Sequence, residues 1–186
     1  GADITTALLA SGICSKPDTR MLVDIGTNGE IALWHRGQLS CCSTAAGPAF
    51  EGAGLSMGMA GKTGAVDHVR VQDGALQAHV IGGGAPKGIC GSGVIDALAC
   101  LVELEQLDET GLLEQDPAPV APPVCLTQKD VRMVQLAKSA ICAGLSTLLR
   151  VEGLCGADAA ELAVAGGFGS YLDVDSAGRI GLLPEE

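Results

Sequence analysis

The chain has 186 residues and a net charge of −11, with 11 basic side chains against 22 acidic ones. This length is typical of one domain, and the scarcity of basic residues argues against nucleic acid and anionic membranes as partners, since both bind basic surfaces. A phosphate group bound by such a chain would be held mainly by backbone amides and a metal ion.

Eight cysteines occur without a C-x-x-C pair and without the spacing of a zinc or ferredoxin-type site. No apolar run reaches the ~18 residues that span a bilayer. These features predict a cytoplasmic protein with reduced thiols. A redox role for the adjacent Cys41 and Cys42 is an alternative.

The first predicted element is a helix over residues 2–12, with apolar residues at helical spacing and Gly12 at its end. The sequence does not begin with Met, and its first residues already follow the helical pattern. We therefore expect the chain to be part of a longer protein.

Two apolar runs then flank the motif D-I-G-T-N-G-E at residues 24–30. Asn28-Gly29 predicts a type I′ turn, because both central residues of that turn need a positive φ. The stretch is therefore predicted to be a β-hairpin.

Asp24 lies at the end of the first strand of this hairpin, where a buried carboxylate needs a partner. It either caps the turn by accepting backbone N–H groups or holds Mg²⁺ through water. In the second case the glycines at 26 and 29 let backbone amides approach a phosphate, and Thr27 adds a hydroxyl.

A third strand is predicted over residues 38–44, so the domain starts with three sequential antiparallel strands. Pro48 is predicted to open a short helix in the small-residue run that follows. We expect Glu51 to stabilise the dipole of that helix, and the alternative is that it faces a cleft.

Residues 65–71 and 76–81 are predicted to form a second hairpin around Asp73-Gly74. His68 and His79 lie on its strands. No third ligand stands at metal-binding spacing, so both are expected to be surface or cross-strand residues.

The motif G-I-C-G-S-G at residues 88–93 leads into an apolar helix. With Ser92 as its cap, the free amides of the helix start would favour an anion. Close packing of this helix start against the sheet explains Gly91 and Gly93 equally well.

The segment D-P-A-P-V-A-P-P at residues 116–123 is predicted to be a proline-rich surface connection. Thr127 and Asp130 predict the start of a long helix, which continues to residue 151 with a buried apolar stripe.

A strand over residues 161–165 opens directly into G-G-F-G at 166–169. This places backbone at the carboxyl end of a strand, where α/β sheets bind ligands. Because the first two of these positions lack side chains, a flat ring could lie against the backbone there.

Four motifs in this order, D-I-G-T-N-G-E, C-S-T-A-A-G-P-A-F-E-G, G-I-C-G-S-G and A-G-G-F-G, resemble the second half of an actin-like ATPase domain. That superfamily comprises acetate and sugar kinases, heat-shock chaperones and actin. Within it, the chain is most similar to the reductive activators of corrinoid-dependent methyltransferases. The resemblance implies the α/β class, with residues 1–186 forming one ribonuclease H-like lobe built on a mixed sheet flanked by helices.

The resemblance further implies a site for ATP and Mg²⁺, with residues 24–30 as the second phosphate motif and residues 165–169 as the adenosine motif. Asp24 would hold Mg²⁺ through water, and Asp24 and Glu51 are the candidate catalytic residues. The residues expected to bind the nucleotide are Asp24, Gly26, Thr27, Asn28, Gly29, Gly91, Ser92, Gly93, Gly166, Gly167, Phe168 and Gly169.

Members of the family use ATP to drive an electron from an iron–sulfur cluster to a Co(II) corrinoid, which regenerates Co(I). Neither a first phosphate motif nor a cysteine cluster occurs in this chain. The cluster is therefore expected in a missing N-terminal domain, and the chain alone should hydrolyse ATP poorly. The expected partner is the corrinoid protein of a methyltransferase system, with a homodimer as a further alternative.

Two other functions are compatible with the motifs. A small-molecule kinase of the same superfamily would need a base facing a substrate hydroxyl, and Glu51 is the candidate. A non-catalytic module that binds nucleotide or a partner protein would need no such base.

Overall fold

The computed structural model describes residues 2–183, so Gly1 and residues 184–186 of the predicted single lobe lie outside it. The helices, in chain order, are α1 (Ala2–Ser11), α2 (Gly91–Glu103), α3 (Gln128–Val151), α4 (Gly166–Gly169) and α5 (Val174–Arg179). The strands are β1 (Arg20–Ile25), β2 (Gly29–His35), β3 (Gln38–Thr44), β4 (Ala65–Gln72), β5 (Ala75–Val80), β6 (Gly88–Ile89), β7 (Ala118–Ala121), β8 (Val124–Leu126) and β9 (Glu161–Ala165).

The central sheet has the strand order β3-β2-β1-β9. Strands β1 to β3 form the predicted antiparallel meander, whereas β9 lies parallel to β1. Met21 and Val23 pack into the main core with residues of α3, and Leu22 packs on the opposite face beneath α1. Both faces of β1 are therefore covered, which explains its unbroken apolar sequence.

The connection between β1 and β2 is not the type I′ turn predicted from Asn28-Gly29, since neither residue has a positive φ. Its loop has three residues, and the Gly26 N–H donates to the Asn28 carbonyl at 3.2 Å. Turns with positive φ at both positions occur instead at Arg36-Gly37, between β2 and β3, and at Asp73-Gly74, as predicted, between β4 and β5.

Gly29 is needed for packing rather than for a turn. A Cβ at this position would fall within 3.0 Å of Ile141 on α3 and of Thr44 on β3, closer than real Cβ atoms approach other atoms. A contact between residues more than 100 positions apart therefore sets the requirement for glycine here.

The long helix α3 begins after Thr127, as predicted, and the structure shows a capping box there. The Thr127 hydroxyl accepts the Asp130 N–H at 3.3 Å, and the Asp130 carboxylate accepts the Thr127 N–H at 2.8 Å. Among residues 2–183 no helix, α3 included, is both long and apolar enough to cross a membrane. The predicted apolar stripe is buried along its length: Val134, Ala137, Ile141, Leu145, Leu148 and Leu149.

Replacing Asp130 by Asn is expected to lower the free energy of unfolding by about 2 kcal/mol. The Asp130 side chain is almost fully buried and accepts N–H and hydroxyl hydrogen bonds from both Ser56 and Thr127, so an amide nitrogen there would face donors. Urea unfolding followed by the fluorescence of Trp34, the single tryptophan, measures the change. The exposed Asp175→Asn is the matched control, and equal unfolding midpoints for the two variants would contradict the prediction.

The segment 116–123 is more ordered than the predicted surface connection. Its β7 strand pairs antiparallel with β8 in a two-stranded sheet. Ala118, Val120 and Val124 are buried against the main core. The prediction relied on the prolines and overlooked the alternating apolar residues between them. In a two-stranded sheet, proline is tolerated at positions where the backbone N–H does not pair with the neighbouring strand.

The second sheet has the order β5-β4-β6 and packs against α2. Its β4–β5 hairpin is the one predicted from the sequence. A Cβ on Gly93 would fall within 3.0 Å of the Val66 carbonyl oxygen, so this glycine lets α2 approach β4 closely.

Cys41 and Cys42 lie side by side on β3, where successive side chains point to opposite faces. Cys42 faces the core, with its Sγ 3.8 Å from the Gly144 carbonyl of α3, whereas Cys41 is exposed. Burial raises the pKa of both thiols. The opposed directions and raised pKa values do not favour a reactive pair.

Candidate functional site

Two cavities meet at the carboxyl ends of β1 and β9. The first, the Asp24 cavity, has a volume of about 740 Å³ and lies between α1, Asp24 and α4. The second, the Tyr171 cavity, has a volume of about 550 Å³ and extends toward the start of α2. Glu51, Gly167 and Phe168 line both, so the two cavities share one wall.

Asp24 stands where two parallel strands end together, because β1 and β9 pair in register at Asp24 and Ala165. A Cβ on Gly166, whose φ is +91°, would fall within 3.0 Å of Asp24 Oδ1. Partial burial raises the pKa of Asp24, and repulsion from Glu30 and Asp3 adds to the effect. A carboxylate in this position can hold a hydrated divalent cation.

The loop amides do not support the alternative in which Asp24 caps the turn. The Gly26 N–H donates to Asn28, and the Thr27 N–H donates to Glu51 Oε1 at 3.1 Å. Thr27 and Asn28 are exposed, and neither lines the two cavities, whereas Gly26 of the same loop lines the Asp24 cavity.

Glu51 lies in the first turn of its short helix, as predicted from the sequence, and its carboxylate also makes a contact outside the helix. It ends the 3-10 helix Pro48–Glu51, which Pro48 opens as predicted, and its carboxylate reaches across to the loop after β1. Besides the amide contact, Glu51 Oε2 accepts a hydrogen bond from the Thr27 hydroxyl at 3.0 Å. Thr27 therefore donates a hydrogen bond to each of the two oxygens of the Glu51 carboxylate.

The glycines of α4 have different tasks. Gly166 leaves room for Asp24, and a Cβ on Gly169 would lie 2.8 Å from Val164. A Cβ on Gly167 would meet nothing within 4 Å, so no internal contact requires glycine there. The Phe168 ring stacks on Phe50, with ring centroids 5.3 Å apart and an interplanar angle of 20°.

The start of α2 is built for close packing. Cys90 occupies the N-cap position of α2 but makes no side-chain capping hydrogen bond. The predicted Ser92 cap is wrong, since the buried Ser92 hydroxyl donates to the Asp67 carbonyl at 2.8 Å. A Cβ on Gly91 would fall within 3.0 Å of the Phe50 carbonyl oxygen. Gly91 and Ser92 still line the Tyr171 cavity.

Some lining residues escaped the sequence analysis. Tyr171 borders the second cavity, and Thr6 and Ala7 of α1 border the first. Tyr171 follows Phe168 at helical spacing, a signal that was available in the sequence. The contribution of α1 depends on the packing of that helix beside β1, which no local pattern reveals.

His68 and His79, which lie outside this site, each face a carboxylate. His68 Nδ1 lies 3.0 Å from Asp96 Oδ2, and His79 Nδ1 pairs with Asp67. Burial raises the pKa of Asp96, against the opposing effect of its hydrogen bond with His68. Within residues 2–183 no three His, Cys, Asp or Glu side chains are arranged to hold a metal ion.

A family model described as the C-terminal domain of RACo, the ASKHA domain, matches residues 18–186. The chain belongs to this family. The fold predicted from the four motifs is thereby confirmed, and α1 precedes the matched range.

Two relatives are similar to the chain over nearly its whole length. The corrinoid activation enzyme RamQ of Eubacterium limosum is 40% identical over a 213-residue alignment that covers 100% of this chain and 36% of that protein. The Co(II) methylated amine-specific corrinoid protein reductase of Methanosarcina barkeri is 31% identical over 206 residues, covering 99% of this chain and 38% of that protein.

A solved structure shows the same architecture. The reductive activator for corrinoid, iron-sulfur protein superimposes with a TM-score of 0.90 at 33% identity, covering 100% of this chain and 33% of that one. The chain thus spans about a third of the length of the proteins it matches. The predicted similarity to corrinoid reductive activators is confirmed.

Proposed function

We propose that this chain is the ATP-binding lobe of a reductive activator that returns a Co(II) corrinoid protein to Co(I). The observation that carries the proposal is the pair of cavities that share Glu51, Gly167 and Phe168. The Asp24 cavity is lined by the carboxylates of Asp24 and Glu51, and Glu51 accepts hydrogen bonds from Thr27 in the loop after β1. The Tyr171 cavity is lined by aromatic rings. A nucleotide has the same division between charged phosphates and a flat base.

At the phosphate end, the Thr27 N–H and hydroxyl would donate to phosphate oxygens, and Asp24 would hold Mg²⁺ through water. The bound Mg²⁺ would neutralise phosphate charge, which an acidic chain with few cations needs. The open face of Gly167 fits this assignment, because a ligand can lie where no side chain of the protein does.

At the base end, Phe168 is held in place by its stack on Phe50, and Tyr171 borders the opening. A purine ring could pack against such aromatic side chains. Gly91 and Ser92 would form the far wall through backbone surface, since their packing roles leave little freedom to move.

The names of the relatives supply the rest of the proposal. They are a corrinoid activation enzyme, a Co(II) corrinoid protein reductase and a reductive activator for a corrinoid protein, so a corrinoid protein is the proposed partner. In this proposal the iron–sulfur cluster lies in a separate domain of the complete protein, and residues 1–186 are one lobe of a cytoplasmic enzyme, with a homodimer as the alternative assembly.

Calorimetry on the 186-residue chain tests the lobe, with adenosine, ATP, and ATP plus Mg²⁺ as ligands. We expect all three to bind, with the tightest binding for ATP plus Mg²⁺. Tyr171→Ala should weaken adenosine binding, whereas Val174→Ala, an equally exposed residue that borders neither cavity, should not. Absence of adenosine and ATP binding would contradict the proposed function.

The complete protein tests the reaction. With the iron–sulfur cluster of the complete protein first reduced by a chemical reductant, absorbance spectroscopy should show one electron passing to the corrinoid protein, converting Co(II) to Co(I), only when ATP is hydrolysed. A phosphorylated metabolite formed instead of free phosphate would favour the kinase alternative, and binding without hydrolysis would favour a non-catalytic module.

A further inference from the structure

We propose that the Glu51 carboxylate is an internal occupant of the phosphate position, which an incoming phosphate group must displace. This proposal rests on the proposed function for the identity of the nucleotide. The contact between Glu51 and Thr27 is observed independently of that function. Glu51 would then set the affinity of the site for any ligand that carries a phosphate group.

The contact has the form of anion recognition. Thr27 offers one backbone N–H and one hydroxyl, here called the Thr27 donor pair. Glu51 Oε1 accepts the first at 3.1 Å and Oε2 accepts the second at 3.0 Å. Two oxygens of one anion on two neighbouring donors reproduce the way in which loops bind phosphate oxygens.

The position of the carboxylate agrees with this interpretation. A Cβ built on Gly26 would lie 3.4 Å from Glu51 Oε1, so the carboxylate covers the face of the loop that lacks a side chain. Asp24 and Gly166 border the same cavity as Glu51. A phosphate oxygen that reached the Thr27 donor pair would therefore have to take the place of Glu51 Oε1 or Oε2.

The local structure allows the exchange. Glu51 is exposed, lies at the end of a four-residue 3-10 helix, and is followed by Gly52 at φ +75°. The helix itself stays anchored because Ala49 and Phe50 are buried. Rotation of the Glu51 side chain alone would free both donors without disturbing the core.

Removing the carboxylate should therefore strengthen phosphate binding. Glu51→Ala is expected to raise the affinity for inorganic phosphate and for ATP by the same factor, about threefold to tenfold, measured by calorimetry in EDTA. Adenosine carries no phosphate, so its affinity should rise clearly less than that of phosphate and ATP, although Glu51 also borders the cavity proposed for the base. Glu51→Gln keeps one acceptor oxygen but turns an amide nitrogen toward a donor, so it should fall between wild type and Glu51→Ala.

Two controls separate displacement from loss of charge. Asp3→Asn removes a different carboxylate from the same cavity without touching Thr27, and should give a clearly smaller gain. In a Thr27→Val background, which removes the hydroxyl donor, the gain from Glu51→Ala should shrink.

Amide NMR spectra test the contact without any nucleotide. Inorganic phosphate should shift the Thr27 amide signal of both the wild-type chain and Glu51→Ala, and the variant should reach its end point at a lower phosphate concentration. The proposal is overturned if Glu51→Ala leaves phosphate affinity unchanged or lower, or if Asp3→Asn matches its gain. These phosphate and NMR results stand even if the chain fails to bind adenosine, which would instead contradict the proposed function.

Discussion

Asp24→Asn should strongly weaken Mg²⁺-dependent nucleotide binding and at the same time make the fold slightly more stable. We expect the affinity for ATP in the presence of Mg²⁺ to fall about 100-fold, the upper part of the range seen when a metal-binding group is weakened. The affinity for adenosine should not change, because the Tyr171 cavity does not include Asp24. Equal binding of ATP plus Mg²⁺ by both proteins would remove Asp24 from the site.

The stability gain follows from the raised pKa of Asp24 in the folded chain. Below the pKa of the unfolded chain, near the ordinary value of 3.8, the carboxyl is neutral in both states and costs nothing. As pH rises through the folded pKa, the folded state must lose a proton it holds more tightly than the unfolded state does, so stability falls. Asn removes this loss.

Thermal unfolding of wild type and Asp24→Asn across pH 3 to 8 measures the effect. The two melting temperatures should lie closest at low pH and separate as pH rises, with the variant melting at the higher temperature. The difference in the free energy of unfolding should stay below about 1 kcal/mol, because Asp24 is only partly buried. Asn is close in shape to Asp, so the neighbouring Gly166 has room for it. A variant less stable than wild type at neutral pH would show that Asp24 makes a stabilising contact.

Gly91→Ala and Gly167→Ala should have opposite effects, although both glycines belong to the site motifs. A methyl group on Gly91 would collide with the Phe50 carbonyl oxygen, a backbone atom that cannot rotate away. We expect a loss of about 3 kcal/mol or more in the free energy of unfolding. Gly167 has open space around its Cβ position, so Ala should fit and slightly favour the helical turn.

Ligand binding should show the reverse order. Gly167→Ala should weaken nucleotide binding about tenfold, because the methyl group would occupy space where the proposed ligand lies against the backbone. Urea unfolding and calorimetry on the same samples measure both quantities. Unchanged nucleotide binding by Gly167→Ala would place the ligand elsewhere, and normal stability of Gly91→Ala would contradict the close contact with Phe50.

Local patterns were sufficient for the elements whose signals lie within a few residues. The helix start at Thr127 and Asp130, the apolar stripe of α3 and the turn at Asp73-Gly74 are all present as predicted. The position of Asp24 at a strand end was also readable, because a carboxylate after a covered apolar strand is unusual.

Long-range contacts decided the rest. The sequence predicts a turn at Gly29, but the glycine is required because a side chain there would collide with Ile141. Ser92 was assigned to a helix cap, yet its hydroxyl is used by the Asp67 carbonyl. Glu51 was assigned to its own helix, yet it contacts Thr27. In each case the residue type was correctly singled out, but its partner lies 24 or more positions away.

The parallel pairing of β1 with β9 has a consequence for how the protein folds. Asp24 and Ala165 become neighbours across about 140 residues of chain, so closing that loop carries a large entropic cost that the β1–β2 hairpin does not bear. Such non-local contacts form slowly. The meander and α3 can therefore fold while the ligand site is still absent, and the site is completed only when β9 docks.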